Sequence, residues 1–227
     1  MRTRIESLQI GPVAPLGPKG KPSGIAKTSV KERLHLARDG LVGDAQADLK
    51  NHGGPEKALH HYPCDHYAHW QKILRHRPDV LNAPGAFGEN VSTFGWTEGD
   101  VCVGDVFELG SAVVQVSQAR QPCWKLNARF GFKSMAMAVQ STRFSGWYYR
   151  VLSIGEIAAG DEMVLVDRPE EAWNLTRLMD IIYDKSHDQH DLRAMADLEL
   201  LAPNWRKLAK RRLDTRMTED WKSRLGD

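Results

Sequence analysis

Up to about Val166, apolar residues come in short runs cut by Gly, Pro and Asp. The clearest are GIAKTSV, RLHLAR, VCVGDVFEL, AVVQVSQ, GWYYRVL and DEMVLVD, whose length and β-branched content predict strands. Leu109-Gly110-Ser111 separates two of them and predicts a hairpin turn. A Gly-Asp pair precedes apolar runs at Gly43-Asp44, Gly104-Asp105 and Gly160-Asp161, as expected of corner turns in a curved sheet. Many short strands at this spacing favour a barrel.

Two stretches interrupt the strand pattern. After Pro63, CDHYAHWQKILRHR places Tyr67, Trp70 and Leu74 at helical spacing, closed by Pro78, and FKSMAMAVQS predicts a second, shorter helix. From Asn174 onward the hydrophobic period changes to 3.6 residues. NLTRLMDIIYD, DLRAMADLELLA and NWRKLAKRRL read as three consecutive helices. Asn174, Asp188 or Asp191, and Asn204 are the expected N-caps, and Pro203 stops the second helix. The reading is a mainly β chain with added helices (α+β): a barrel-like domain over residues 1–168, then a three-helix domain over 169–227 that packs as its own unit.

Composition narrows the class. Across 227 residues, 31 Lys and Arg against 29 Asp and Glu give a net charge of +2, too balanced to indicate a nucleic-acid or membrane partner. The basic group Lys207, Lys210, Arg211 and Arg212 reads as the solvated face of a packed helix. No apolar stretch is long enough to span a bilayer, and MRTRIESLQIG lacks a signal-peptide core. Three cysteines, Cys64, Cys102 and Cys123, are too few for a disulfide framework and fit a reducing cytoplasm.

The stretch SQARQPCWKLNARFG sets Cys123 between Pro122 and Trp124, with Arg120 and Lys125 close by, just past a strand end. The thiol has three readings: a packed structural cysteine, a nucleophile favoured by nearby cations, or a ligand for a soft metal. In HHYPCDHYAH, the residues His60, His61, Cys64, His66 and His69 suggest zinc, but no second ligand cluster completes four, and helix packing accounts for the stretch better. His52, before Gly53-Gly54, and Asn90, after Gly88, sit in turn-like loops that serve either backbone geometry or a ligand. GPKGKPSGIAK offers Lys19, Lys21, Ser23 and Lys27 as a solvated loop or an anion cradle.

Taken together, KPSGIAK, GLVGD, HGGPEKALHHYP, FGENVSTFG, VGDVFELGSAVVQVSQARQPCWKLN and GWYYRVL stand in the order found in MOSC-domain proteins. The chain resembles their YiiM-like branch, and its last three helices resemble that branch's three-α domain. The resemblance implies a β-barrel binding the molybdenum cofactor, with Cys123 as the protein ligand to the metal. It implies that His52, Asn90 and Arg120 line the cofactor pocket and orient substrate or pterin, and that Lys21 and Ser23 meet the pterin phosphate. Ala119 and Trp124 depart from the Pro and Tyr expected there, which reshapes the substrate mouth and leaves the ligand in place.

The function so implied is reduction of N-hydroxylated bases, amines or amidoximes to the N–H form. No flavin fingerprint or iron–sulfur cysteine set is present, so electrons are expected from a separate flavoprotein reductase. The alternatives are a sulfur carrier using a Cys123 persulfide and a cofactor-binding module without turnover. Neither nucleic acid nor membrane is expected as a partner, and a homo-oligomer is compatible with the sequence.

Overall fold

The computed structural model describes residues 2–49, 53–74 and 78–226. In chain order the first strands are β1 (Arg2–Arg4), β2 (Ser7–Ile10), β3 (Ala14–Leu16), β4 (Lys21–Ser23), β5 (Thr28–Val30), β6 (Leu34–Ala37) and β7 (Gly40–Leu41). β8 (Leu59–His61) leads into helix α1 (Asp65–Ile73), and β9 (Val91–Ser92), β10 (Val106–Leu109) and β11 (Ala112–Ala119) follow. Helices α2 (Lys125–Phe130) and α3 (Met135–Thr142) separate β11 from β12 (Trp147–Ser153), β13 (Gly155–Ile157) and β14 (Glu162–Asp167). The chain then turns helical: α4 (Leu175–Tyr183), α5 (Gln189–Asp197), α6 (Pro203–Thr215) and a final turn, α7 (Lys222–Leu225).

Nine strands form one sheet in the order β1-β14-β10-β11-β12-β8-β9-β2-β5. All its pairings are antiparallel except β8 with β9. β1 lies at one edge and β2 next to the other, yet only Ile5 and Glu6 separate them in the chain. The linker bonds to both sides, Ile5 N to Asp161 O at 3.0 Å and Glu6 N to Ser92 O at 2.8 Å. So short a bridge obliges the sheet to curl into a barrel-like wall. The expected hairpin is present, with β10 and β11 joined through Gly110 at φ +59°.

The Gly-Asp pairs are corners, as expected. Gly43, Gly104 and Gly160 all have φ between +82° and +94°, where a side chain would be strained. The aspartate that follows anchors each turn. The buried Asp105 accepts from Cys102 N at 2.9 Å and pairs with Arg168 at 2.7 Å; Asp161 accepts from Ala158 N and grips Arg33 with both oxygens.

The change of period at Asn174 marks α4, and the Asn174 side chain accepts from Arg177 N at 2.8 Å. Asp188, rather than Asp191, caps α5. The third expectation is corrected: Ala202 is the N-cap of α6, Pro203 opens that helix, and Asn204 donates to Gln118 Oε1 at 3.0 Å. Proline suits a first helical position because its missing N–H would have no partner there.

The helices also pack differently from the expected separate unit. Leu175, Leu178, Met179 and Ile182 make one apolar face of α4, which joins Val114, Val116 and Trp147 of the barrel in a single buried cluster. Backbone bonds cross the same boundary: Leu175 N to Val101 O, Val103 N to Trp173 O and Ala202 N to Ser117 O, each at 2.9 Å. Arg212 leaves the solvated face predicted for it. Buried, it donates to the α4 carbonyls of Ile181 at 3.0 Å and Ile182 at 2.7 Å and pairs with Glu219. A second core, built on Tyr62, Trp70, Phe87, Leu126 and Phe130, lies where α1, α2 and α3 meet.

Candidate active site

β11 ends at Ala119, and Arg120 N still donates to Gly146 O at 2.9 Å, on the neighbouring strand's approach. Pro122 has no N–H to continue the ladder and biases Gln121 toward extended backbone, so the chain leaves the sheet here. It enters α2 at once, with Leu126 N bonded to Cys123 O at 3.0 Å. The sequence pattern did not reveal α2, because six residues are too few to display a helical period.

Cys123 is 5% exposed and lines a cleft with about 560 Å³ of empty space, counting its open mouth. Of the three cysteines, only Cys123 lies there. Burial pushes the Cys64 thiol up to about 12 and the Cys102 thiol up to about 11, so neither supplies thiolate at neutral pH. Ser23, Asn90 and Arg120 join Cys123 in the wall, and so do Lys57, His60, Lys125 and Tyr148. Lys21 does not join them: it is exposed on β4. His52 lies outside the described residues.

Each wall residue has a traceable position. Asn90 is held by its own amide: its Oδ1 accepts from His60 N at 3.1 Å, and its Nδ2 donates to Gln9 O at 3.2 Å and Asp44 Oδ2 at 2.9 Å. With both amide atoms engaged by protein, Asn90 fastens β8 to β2 instead of presenting a ligand group. Asp44 also takes Lys27 at 2.5 Å, largely hidden from water, so that lysine's charge is neutralised inside the wall. Ser23 Oγ accepts from Ile25 N at 3.3 Å. Lys57 is carried by the turn Pro55–Lys57, whose Glu56 O accepts from Ser117 Oγ at 2.6 Å and Gln118 Nε2 at 3.0 Å.

The electrostatics favour an anion. Arg120 is 6% exposed, and its Nη1 is buried without a hydrogen-bond partner among the described residues. A buried guanidinium N–H left unpaired costs free energy, which a bound acceptor would recover. Burial, and next the Arg120 charge, hold His60 well below the usual imidazole value, so it is neutral at pH 7. Burial raises the Tyr148 hydroxyl, keeping it a protonated donor. Burial, with the Arg224 charge second, lowers Lys57.

The zinc set does not assemble. His60 and His61 are neighbours on β8 and so face opposite ways, His60 into the cleft and His61 into the core. His61 shares hydrogen bonds with Tyr149 Oη at 3.0 Å and Thr93 Oγ1 at 2.9 Å, and burial pushes it down to about 3. His66 Nε2 meets Glu98 at 2.7 Å. Among the described residues, the one group of three such side chains within reach of a single ion is Asp188, His190 and Asp191, at the start of α5.

Sequence reasoning missed Lys57 and Tyr148 altogether, and weighed His60 only within a zinc set that it set aside in favour of helix packing. Period-2 alternation along β8 would have found His60. Nothing local marks Lys57 or Tyr148: Tyr148 reaches the cleft through strand pairing, and Lys57 through the turn that Ser117 and Gln118 hold.

Residues 48–164 match the MOSC domain family and residues 173–216 match the family described as YiiM-like, 3-alpha helix domain. The chain is 40% identical to Protein YiiM of Escherichia coli (strain K12) over 209 residues, covering 92% of each. It is 35% identical over 170 residues to a protein named Reductase from Gibberella moniliformis, covering 72% of this chain and 30% of that one. The crystal structure of YiiM from Escherichia coli superposes with a TM-score of 0.83 at 31% identity, covering 99% of this chain and 98% of that one.

Proposed function

This chain belongs to the MOSC-domain family, in the form that carries a YiiM-like three-helix domain, and from that premise we propose that it is a molybdenum-cofactor oxidoreductase reducing N-hydroxylated compounds to their N–H form. The observation that carries the reading is Cys123, a soft donor in the wall of a cleft that also holds Arg120, whose Nη1 has no hydrogen-bond partner among the described residues. MOSC domains are associated with the molybdenum cofactor, and the residues present fit it: thiolate suits a soft metal, and Arg120, Lys57 and Lys125 suit a phosphate. The name of the fungal relative supports reductase chemistry in general terms.

When bound, the cofactor supplies a two-electron redox centre. The reaction R–NH–OH + 2 e⁻ + 2 H⁺ → R–NH₂ + H₂O breaks N–O and forms N–H. In this chain Cys123 would hold the metal, and Arg120 would hold an anionic oxygen of cofactor or substrate. His60, neutral at working pH, contributes hydrogen bonding and no charge. Tyr148 offers a protonated hydroxyl to the bound molecule, and the open mouth admits substrate and the solvent that replaces protons. Electrons come from a separate flavoprotein reductase.

The test is Cys123→Ser, which exchanges a soft thiolate for a hydroxyl that stays protonated near neutral pH. Protein from a cofactor-making host should carry about one molybdenum and no stoichiometric zinc, and the variant should lose N-hydroxyl reduction with excess artificial donor. Cys64→Ser and Cys102→Ser should keep it. Parent-level activity in Cys123→Ser at equal molybdenum content would refute the ligand assignment. A sulfur carrier would instead show persulfide on Cys123 and no reduction of the N–OH substrate by the parent.

A further inference from the structure

The last residues of the chain return to the cysteine loop. Arg224, half-buried in α7, donates from Nε to Pro122 O at 3.0 Å and from Nη2 to Gln121 O at 3.1 Å. The loop answers: Trp124 N donates to Arg224 O at 2.8 Å and Asn127 Nδ2 to Leu225 O at 2.7 Å. Two carbonyls and one amide flanking Cys123 are thus held by one residue about a hundred positions away in sequence.

α7 is itself anchored. Leu225 is 5% exposed in the core around Phe87 and Phe130. Trp221 packs against both cores, with its ring 5.9 Å from that of Tyr183. Upstream, Glu219 pairs with the buried Arg212 at 2.6 Å, and Arg212 grips the end of α4. A continuous set of contacts therefore runs from the helical region to the cysteine loop, through residues beyond the span matched to the three-helix family.

We propose that Arg224 is a positioning residue for the candidate active site: its guanidinium fork clamps the Gln121 and Pro122 carbonyls and fixes where Cys123 points. This rests on the reading that Cys123 is the metal ligand of the site. The planar fork matters as well as the charge, because two carbonyls are reached at once in a set geometry.

The experiment uses the intact cofactor-free chain and iodoacetamide, following alkylation of Cys123, Cys64 and Cys102 separately by mass spectrometry from pH 7 to 9. Arg224→Gln should speed Cys123 alkylation by about tenfold, equivalent to about 1.4 kcal/mol of loop opening. For Arg224→Lys, which leaves the charge in place, the factor should be the same at each pH. Cys64 and Cys102 rates and the unfolding midpoint should hold. Arg224→Lys, which keeps charge without the fork, should behave like Arg224→Gln. An unchanged Cys123 rate, an equal rise at all three cysteines, a mere shift along the pH axis, or full restoration by Lys would each overturn the proposal. Should neither variant fold, hydrogen exchange in the parent decides: the Trp124 amide must be protected, and fast exchange there sinks the clamp. A Cys123→Ser variant that keeps molybdenum and activity would remove the functional reading while leaving the alkylation result to judge the clamp.

Discussion

Replacing Asn90 with Ala separates a tether from a ligand group. The amide makes three bonds to protein at 2.9 to 3.2 Å, and the residue is 3% exposed, so water cannot replace them. After truncation His60 N–H loses its acceptor and Gln9 O loses a donor, while Asp44 keeps Lys27. At roughly 2 kcal/mol for a fully orphaned N–H and about 1 for a weakened acceptor, the loss is about 3 kcal/mol. For a domain with total stability of about 5–15 kcal/mol, that is a large fraction but not the whole. Urea unfolding should show the midpoint falling by about 1–1.5 M at unchanged slope, for a slope near 2–3 kcal/mol per M. Asn90→Asp should fare no better: it keeps an acceptor for His60 N but sets a second carboxylate against Asp44. A stability loss below about 1 kcal/mol, together with loss of bound molybdenum or pterin, would refute the tether and make the amide a ligand contact.

Two further outcomes follow from the core. His61 is pushed down to about 3 by burial, against an unfolded value near 6.5, so the unfolded chain takes the proton first as pH falls. Its contribution is complete above pH 6.5 and is lost at about 1.4 kcal/mol per pH unit below it, down to the folded value. Urea unfolding at pH 6 and pH 5 should therefore give a pH dependence of stability about 1.2 kcal/mol per unit shallower in His61→Gln than in the parent, and equal dependences would mean that His61 protonates in the fold. Removing residues 169–227 uncovers Val114 and Val116 and deletes the backbone bonds to Val101, Val103 and Ser117; the fragment should aggregate or bind hydrophobic dye, and a soluble fragment with cooperative unfolding would contradict the shared core.

Along the chain, the local signals carried far. The period-2 runs, the Gly-Asp corners and the switch of period at Asn174 each encode their element in neighbouring residues, so strands, turns and α4 are legible without a fold. The motif around Cys123 pointed to the loop that the structure places in the cleft wall, with Arg120 lining the same cleft. No helix among the described residues is long and apolar enough to cross a membrane, in keeping with the composition.

Tertiary structure decided what distance along the chain hides. Asn90 looks the same in sequence whether its amide meets a ligand or meets Gln9 and Asp44, 81 and 46 positions away. Lys21 and Lys27 share one loop motif, yet Lys21 is exposed on β4 while Lys27 is consumed by Asp44. Tyr148 enters the cleft because β12 pairs with both β11 and β8, Lys57 because Ser117 and Gln118 of β11 hold its turn, and Arg224 reaches Gln121 from 103 positions on. The sequence by itself determined which segments become strands and helices and which thiol follows the end of a strand, because those depend on near neighbours. Which polar groups remain unspent, and so stay available to a ligand, depends on partners that only the curled sheet and the returning C-terminal helices bring within hydrogen-bond reach.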